Sequence, residues 1–446
     1  MKDWQRSDLK YIWHPYTQMK DAINFPPLLI ERAKGIKLYG EKGSFYYDTI
    51  SSWWCNIHGH NHPRIKRAIK KQIDTLEHVL FAGFTHRPAI KLSEQLIAFT
   101  NNKFNRVFFS DNGSTCVEVA LKMSFQYWHN IGKREKTRFV SLDHAYHGDT
   151  IGAMSVSGIG LFNAVFSPLF SPSYKVSSPY CYRCPMGKEK SACTIDCIKP
   201  LERLLEKKHE EVCAIIIEPL VMCAGGMIVY PKEYLEKVAA LAKRYKVHLI
   251  LDEVAIGFGR TGKMFAYEHV PEIEADFLCL SKGITSGYLP LAVTLTTEEI
   301  FRAFYGDYAR RKTFFHGHTY TANPVSCSAA LANLEIFKEE KTLQKARNLM
   351  PFFHEELEKF MNLALVGDVR YIGFIGAVEL VKDKKTREGF GLKKRVGLEV
   401  YKRGLKKNLV LRPLGDIIYL FLPLCIRRME IEDILERTYS VIKSLS

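Results

Sequence analysis

Apolar and polar positions along the chain follow two different rhythms. From about residue 63 to 330, stretches with helical amphipathic spacing alternate with short, unbroken apolar runs at 106–109, 139–142, 213–217, 248–251, 277–280 and 291–295. A short apolar run without polar alternation marks a strand covered on both faces, and strands alternating with helices build a mostly parallel sheet with helices on either side. Beyond that region the pattern changes. A long helical stretch from 329 to about 363 is followed by a strand-like segment at 373–380, a helix near 396–407, and strand-like segments at 409–411 and 417–421. This predicts a smaller α+β unit. The segment before Pro63 carries Trp4, Trp13, Trp53 and Trp54 and is expected to pack against that unit. The expected organisation is an α/β protein with an N-terminal segment (1–62), a large domain (63–329) around a mostly parallel central sheet flanked by helices, and a smaller α+β domain (330–446).

Composition narrows the function classes. Of 446 residues, 47% are hydrophobic and 25% charged, the ordinary balance of a packed globular chain. The net charge of +16 raises nucleic acid and anionic surfaces as partners. The basic residues are spread along the chain, however, and are dense only at 382–387 and 393–395, the pattern of a solvated loop, so no nucleic-acid partner is expected. The most apolar stretch, 212–230, is interrupted by Glu218, Pro219, Gly225 and Gly226, and the opening Met1-Lys2-Asp3-Trp4 is polar. Neither a membrane span nor a secretory leader is expected. Eleven cysteines, an odd number scattered over a large chain, suit reduced thiols in the cytoplasm. Four of them cluster as Cys181, Cys184, Cys193 and Cys197 between Pro179 and Pro200. That spacing is open to a zinc or iron-sulfur site or to plain thiols; the second pair departs from the usual gap, and no metal is expected.

Two of the apolar runs stop at residues with chemistry to offer. The run 249–251 ends at Asp252, and 277–280 leads into Ser281-Lys282-Gly283. Open α/β sheets bind ligands beyond the carboxyl ends of their strands, so the two side chains are expected at one crevice. A carboxylate and an amine there suit pyridoxal 5'-phosphate: the lysine binds the aldehyde, and the carboxylate keeps the ring nitrogen protonated so that the ring can take up electrons. A structural ion pair is the plainer account of the same two residues. Gly113-Ser114, at the start of the helical pattern 117–123, offers either a phosphate site at a helix N-terminus or an ordinary cap. Tyr146, within Asp143-His144-Ala145-Tyr146-His147-Gly148-Asp149, suits a ring lying over a flat cofactor or a polar turn. In the loop 315–320, His316 and His318 are open to metal ligation or to hydrogen bonding and packing, and Thr319 offers a hydroxyl to a phosphate. Arg412 follows the apolar run 409–411, and a guanidinium there is suited to gripping a carboxylate bidentately.

Taken together these segments resemble the class III, fold-type I aminotransferases over almost the whole chain. The resemblance rests on Trp13-His14-Pro15-Tyr16-Thr17-Gln18, Ser51-Ser52-Trp53-Trp54, Ile57-His58-Gly59-His60-Asn61-His62-Pro63 and Gly113-Ser114. It continues through Tyr146-His147-Gly148-Asp149-Thr150, Asp252-Glu253-Val254, Gly257-Phe258-Gly259-Arg260-Thr261-Gly262, Ser281-Lys282-Gly283, His316-Gly317-His318-Thr319 and Arg412-Pro413. It implies a pyridoxal 5'-phosphate enzyme in which Lys282 is catalytic and Gly113, Ser114, Tyr146, Asp252, Lys282, His318 and Thr319 hold the cofactor. Thr319 is implied to act from a neighbouring subunit, making a homodimer the active unit. Tyr16, Trp53, Tyr146, Lys282, Gly317 and Arg412 are implied to form the substrate site. The tryptophan pair and the Arg412 segment imply transfer of an amino group from S-adenosylmethionine to 8-amino-7-oxononanoate, giving 7,8-diaminononanoate for biotin. Lysine as donor, or another ω-amino-acid substrate, is the alternative. Ile256, Ser286 and Ala322 depart from the expected threonine, glycine and glycine.

Overall fold

Buried β-branched and aromatic runs become strands here because every face of them can be covered. The computed structural model describes residues 2–189, 192–391 and 393–445, so Met1 and Ser446, the outer ends of the expected domains, lie outside it. After a helix at Asp3–Tyr11, the chain forms a small antiparallel sheet of β1 (Ile30–Lys34), β2 (Lys37–Gly40) and β3 (Phe45–Tyr47). The central sheet holds β4 (Arg106–Ser110), β5 (Arg138–Leu142), β6 (Tyr174–Val176) and β7 (Val212–Ile217). After a hairpin of β8 (Val221–Met222) and β9 (Ile228–Val229) it is completed by β10 (His248–Asp252), β11 (Phe277–Leu280) and β12 (Ala292–Thr296). Its order is β4-β12-β11-β10-β7-β5-β6.

Only β12 runs against its neighbours, pairing antiparallel with β11 and β4, while β11, β10, β7, β5 and β6 pair in parallel. The carboxyl ends of the other six strands therefore share one edge. Every residue of β7, β10 and β11 is buried, as unalternated apolar runs require. The edge strand β6 is a new element; three residues of mixed burial carry too little pattern to be read from sequence.

The second unit corrects several expectations. The helical stretch expected at 329–363 is two helices, Pro324–Glu339 and Thr342–Glu358, separated where Lys341 turns left-handed at φ +52°. The boundary drawn at 329/330 falls inside the first of these, which packs against the helices Pro63–Ile73 and Arg87–Phe99. A three-stranded antiparallel sheet is formed by β13 (Val366–Ile372), β14 (Ile375–Leu380) and β15 (Ile417–Phe421), and the helix Val396–Lys406 lies where it was expected. Residues 409–411 are not a strand; Leu409 makes one isolated bridge to Tyr47. That bridge ties the N-terminal segment to the second unit, together with Thr49 Oγ1 donating to the Val410 carbonyl at 2.6 Å and Trp54 stacking on Phe421 at 5.8 Å. Trp13 takes no part and stands 86% exposed. Among the described residues no helix is long and apolar enough to cross a membrane.

Candidate active site

The shared edge of carboxyl ends opens onto a cavity of ≈ 680 Å³. Asp252 closes β10, in register with Cys279 of β11, and Lys282 follows β11 by two residues. Both line the cavity, as do Gly113 and Ser114 after β4, Tyr146, His147 and Asp149 after β5, and Glu218 after β7. Topology thus brings residues from five separate strand ends to one place.

Asp252 is fixed from two sides: its Oδ2 lies 2.7 Å from His147 Nδ1 and its Oδ1 accepts the Val254 amide at 3.0 Å. The His147 amide in turn donates to Ser157 Oγ at 3.0 Å. Lys282 has a left-handed backbone at φ +42°, and its Nζ sits 5.3 Å from the centre of the Trp54 ring. Among the described residues it joins no ion pair, so the salt-bridge account of Asp252 and Lys282 falls away.

The Gly113–Asn130 helix begins at the cavity wall, capped by Asn112 Oδ1, which accepts the Thr115 amide at 3.1 Å. Its first-turn N–H groups and the positive end of its dipole face the cavity, an arrangement that favours an anion. A Cβ at Gly113 would strike Val254, and one at Gly148 would strike Ser114, so glycine is required where the walls close in. Ser114 Oγ accepts the Thr150 amide at 3.0 Å and lies 2.7 Å from Thr150 Oγ1, which donates to Glu118. An anion cradle, an amine, an oriented carboxylate and the wall offered by Tyr146 and Val254 fit the phosphate, aldehyde, ring nitrogen and ring faces of pyridoxal phosphate.

Three cavity residues with a part in the site, His147, Glu218 and Asp149, were assigned no role from the sequence. Glu218 is buried and accepts the amides of Tyr146 at 3.0 Å and Cys223 at 2.9 Å. Burial, reinforced by the nearby Asp252 charge, pushes its carboxyl up to about 7. Its signal was present, since it ends the apolar run of β7 as Asp252 ends that of β10. Asp149 Oδ1 accepts the Tyr16 hydroxyl at 2.6 Å, and burial followed by this contact pushes the Tyr16 phenol up to about 12.

Tyr16, Trp53 and Arg412 do not line the cavity themselves; they cluster just outside it, joined to its wall residues Tyr146 and Asp149 through the Tyr16 hydroxyl, and form its mouth. The Tyr16 and Tyr146 hydroxyls are 3.4 Å apart, and Tyr16 meets the Trp53 ring edge-on at 5.8 Å. The Arg412 guanidinium lies 4.4 Å above that ring, with Nη2 donating to the Tyr16 carbonyl at 3.4 Å. Gly317 and Thr319 are exposed and do not line this chain's cavity, while His318 Nδ1 comes within 3.1 Å of Asp111 Oδ2 at its edge. His316 Nδ1 lies 2.9 Å from Lys122 Nζ. The four clustered cysteines surround a separate cavity of ≈ 20 Å³, and among the described residues no group of His, Cys, Asp or Glu is arranged to hold a metal. At the departures, Ser286 adopts φ +53° and its Oγ accepts the amides of Ile57 and His58, a role glycine could not fill.

The family model for class III aminotransferases matches residues 18–442. The chain belongs to the class III aminotransferases. Among its relatives, an adenosylmethionine-8-amino-7-oxononanoate aminotransferase of Geobacter sulfurreducens is 46% identical, with 98% of this chain and 96% of that protein covered. One of the same name from Aquifex aeolicus is 44% identical, with 100% and 98% covered. The crystal structure of another so named, from Methanocaldococcus jannaschii, matches this class III aminotransferase with a TM-score of 0.94 at 43% identity, covering 99% of this chain and 98% of that one. An amine transaminase from an uncultivated Pseudomonas species reaches 0.93 at 32% identity, covering 98% and 99%.

Proposed function

We propose that this aminotransferase uses pyridoxal 5'-phosphate to move an amino group from S-adenosylmethionine to 8-amino-7-oxononanoate, giving 7,8-diaminononanoate. The cofactor, when bound, stores the amino group between two half-reactions and takes up the electron pair left when a proton leaves the substrate carbon. Lys282 would hold its aldehyde, and its amine, when free, would carry a proton to and from that carbon. Asp252, oriented by His147, keeps a proton on the ring nitrogen. The first turn of the Gly113 helix, with Ser114, holds the phosphate, and Tyr146 covers the ring. Glu218 acts through Tyr146, whose backbone it fixes.

The observation that carries the choice of acceptor is the cluster at the mouth. A carboxylate gripped by Arg412 places an aliphatic chain along Trp53 and Tyr16, which fits a long ω-carboxylate keto acid. The fold alone does not separate this reading from an amine transaminase, given the 0.93 TM-score of the Pseudomonas enzyme. The relatives' shared name supports the adenosylmethionine donor.

The active unit in this reading is a homodimer, with Gly317, His318 and Thr319 serving the neighbouring copy's site. The exposure of Gly317 and Thr319 outside this chain's own cavity supports it, as do the exposed Leu161, Val165, Phe315 and Tyr320. The reaction is placed in the cytoplasm, where the thiols stay reduced. A transamination assay with 8-amino-7-oxononanoate and a panel of donors tests the proposal: turnover with S-adenosylmethionine well above that with lysine supports it, and no turnover of this keto acid with any donor overturns it.

A further inference from the structure

Four consecutive non-glycine residues, Ser51, Ser52, Trp53 and Trp54, have φ of +51°, +46°, +68° and +75°. They form one turn of left-handed helix, a conformation that Cβ crowding disfavours at each residue. A strained turn of this kind persists only where its surroundings hold it. Both tryptophans it carries belong to the site: Trp54 lies under Lys282, and Trp53 lies between Tyr16 and Arg412.

Two buried charges hold the turn. At its start the Asp48 carboxylate, 1% exposed, accepts the Ser52 amide at 2.8 Å on Oδ1 and the Ser52 hydroxyl at 2.7 Å on Oδ2. His60 Nε2 holds that same Oδ2 at 2.8 Å. At its far side Arg260, fully buried, donates to Ser51 Oγ and to the carbonyls of Trp54, Asn56 and Leu422 at 2.7–3.2 Å. Asp48 is spent on the turn: its partners are Ser52, whose backbone bends left, and His60, which orients the carboxylate.

We propose that Asp48, oriented by His60, is a positioning residue for acceptor specificity, capping the left-handed turn so that Trp53 stays between Tyr16 and Arg412. It touches neither cofactor nor substrate. Without the cap the Ser52 end of the turn relaxes and Trp53 leaves the path of the acceptor chain, while Arg260 still holds the Trp54 end under Lys282. This inference rests on the proposed function, because the acceptor is the probe.

The test is steady-state kinetics of the holoenzyme with 8-amino-7-oxononanoate. Asp48→Ala is expected to raise KM for the keto acid about tenfold while kcat stays within about twofold. Asp48→Asn, which keeps an acceptor for the Ser52 amide, is expected to return KM to within about threefold of the parent. Ser52→Ala, which removes one of the two bonds to Asp48 and leaves the backbone in place, gives a second reading should Asp48→Ala fail to fold: KM up about threefold with kcat unchanged. Unchanged KM in Asp48→Ala, or in Ser52→Ala if the former is insoluble, overturns the inference. So does failure of Asp48→Asn to restore KM where Asp48→Ala raises it. A parent enzyme that does not turn over this keto acid refutes the proposed function instead.

Discussion

The floor of the cavity and its mouth are built by different means. Asp252 and Glu218 sit at or just past the ends of buried parallel strands and Lys282 two residues beyond another, and the register of those strands brings the three together. Tyr16, Trp53 and Arg412 come from the two ends of the chain and stand on irregular backbone, with Tyr16 and Trp53 both at positive φ. A floor placed by the sheet serves any substrate in the same way. A mouth assembled from loops can change its fit without disturbing the sheet, so the chemistry belongs to the floor and the choice of substrate to the mouth.

The largest effect is expected at the floor. Lys282→Ala should abolish turnover and leave the fold intact, since among the described residues no other lysine lines the cavity; steady-state assay with circular dichroism checks both, and near-normal turnover would remove Lys282 from the mechanism. Asp252→Asn should bind cofactor with its colour retained yet lose orders of magnitude in rate, because the ring nitrogen is no longer held protonated. An absorbance spectrum and single-turnover rates decide this, with an unaffected rate contradicting the role. At the mouth, Arg412→Ala should cost roughly 2–4 kcal/mol of acceptor binding, or one to three decades in KM at about 1.4 kcal/mol per decade.

The smallest effect is one of stability. Burial raises the Glu218 carboxyl from 4.5 to about 7, so between those values the folded state binds more protons than the unfolded chain. The contribution is present in full below the lower value and lost as pH rises through the upper one. The Tm of the parent relative to Glu218→Gln should therefore fall from pH 4.5 to 7.5. A difference that stays level or rises would mean Glu218 is ionised in the fold throughout. Glu253 and Asp276, raised in the same way by burial, are common to both proteins and cancel in the difference.

What could be read in the sequence follows the same division. Asp252 and Lys282 were legible because an apolar run ending in a charge is a local signal, and a parallel sheet turns it into a place. Glu218 carried that signal too, but a run followed by proline and glycines reads first as an interruption. The break at Lys341 and the turn at Ser51–Trp54 left no mark, since left-handed backbone is expected of glycine; at the turn, tertiary hydrogen bonds hold serine and tryptophan in it. Arg412 was legible locally as a guanidinium suited to a carboxylate, but Tyr16 and Trp53, and the grouping of all three, were found only through resemblance: nothing local joins residues whose contact depends on the complete fold. Asp149 lay within a motif of that resemblance without a role assigned to it, and its part emerged from its bond to Tyr16.

Single-turnover kinetics of each half-reaction, followed by the cofactor's absorbance in Asp252→Asn and Arg412→Ala side by side, tests the division of labour most directly. The expected result is that Asp252→Asn slows both halves by orders of magnitude, whereas Arg412→Ala slows the half-reaction with 8-amino-7-oxononanoate and affects that with S-adenosylmethionine much less. Equal damage to both halves by Arg412→Ala, or an unchanged keto-acid half, would contradict the assignment of substrate choice to the mouth.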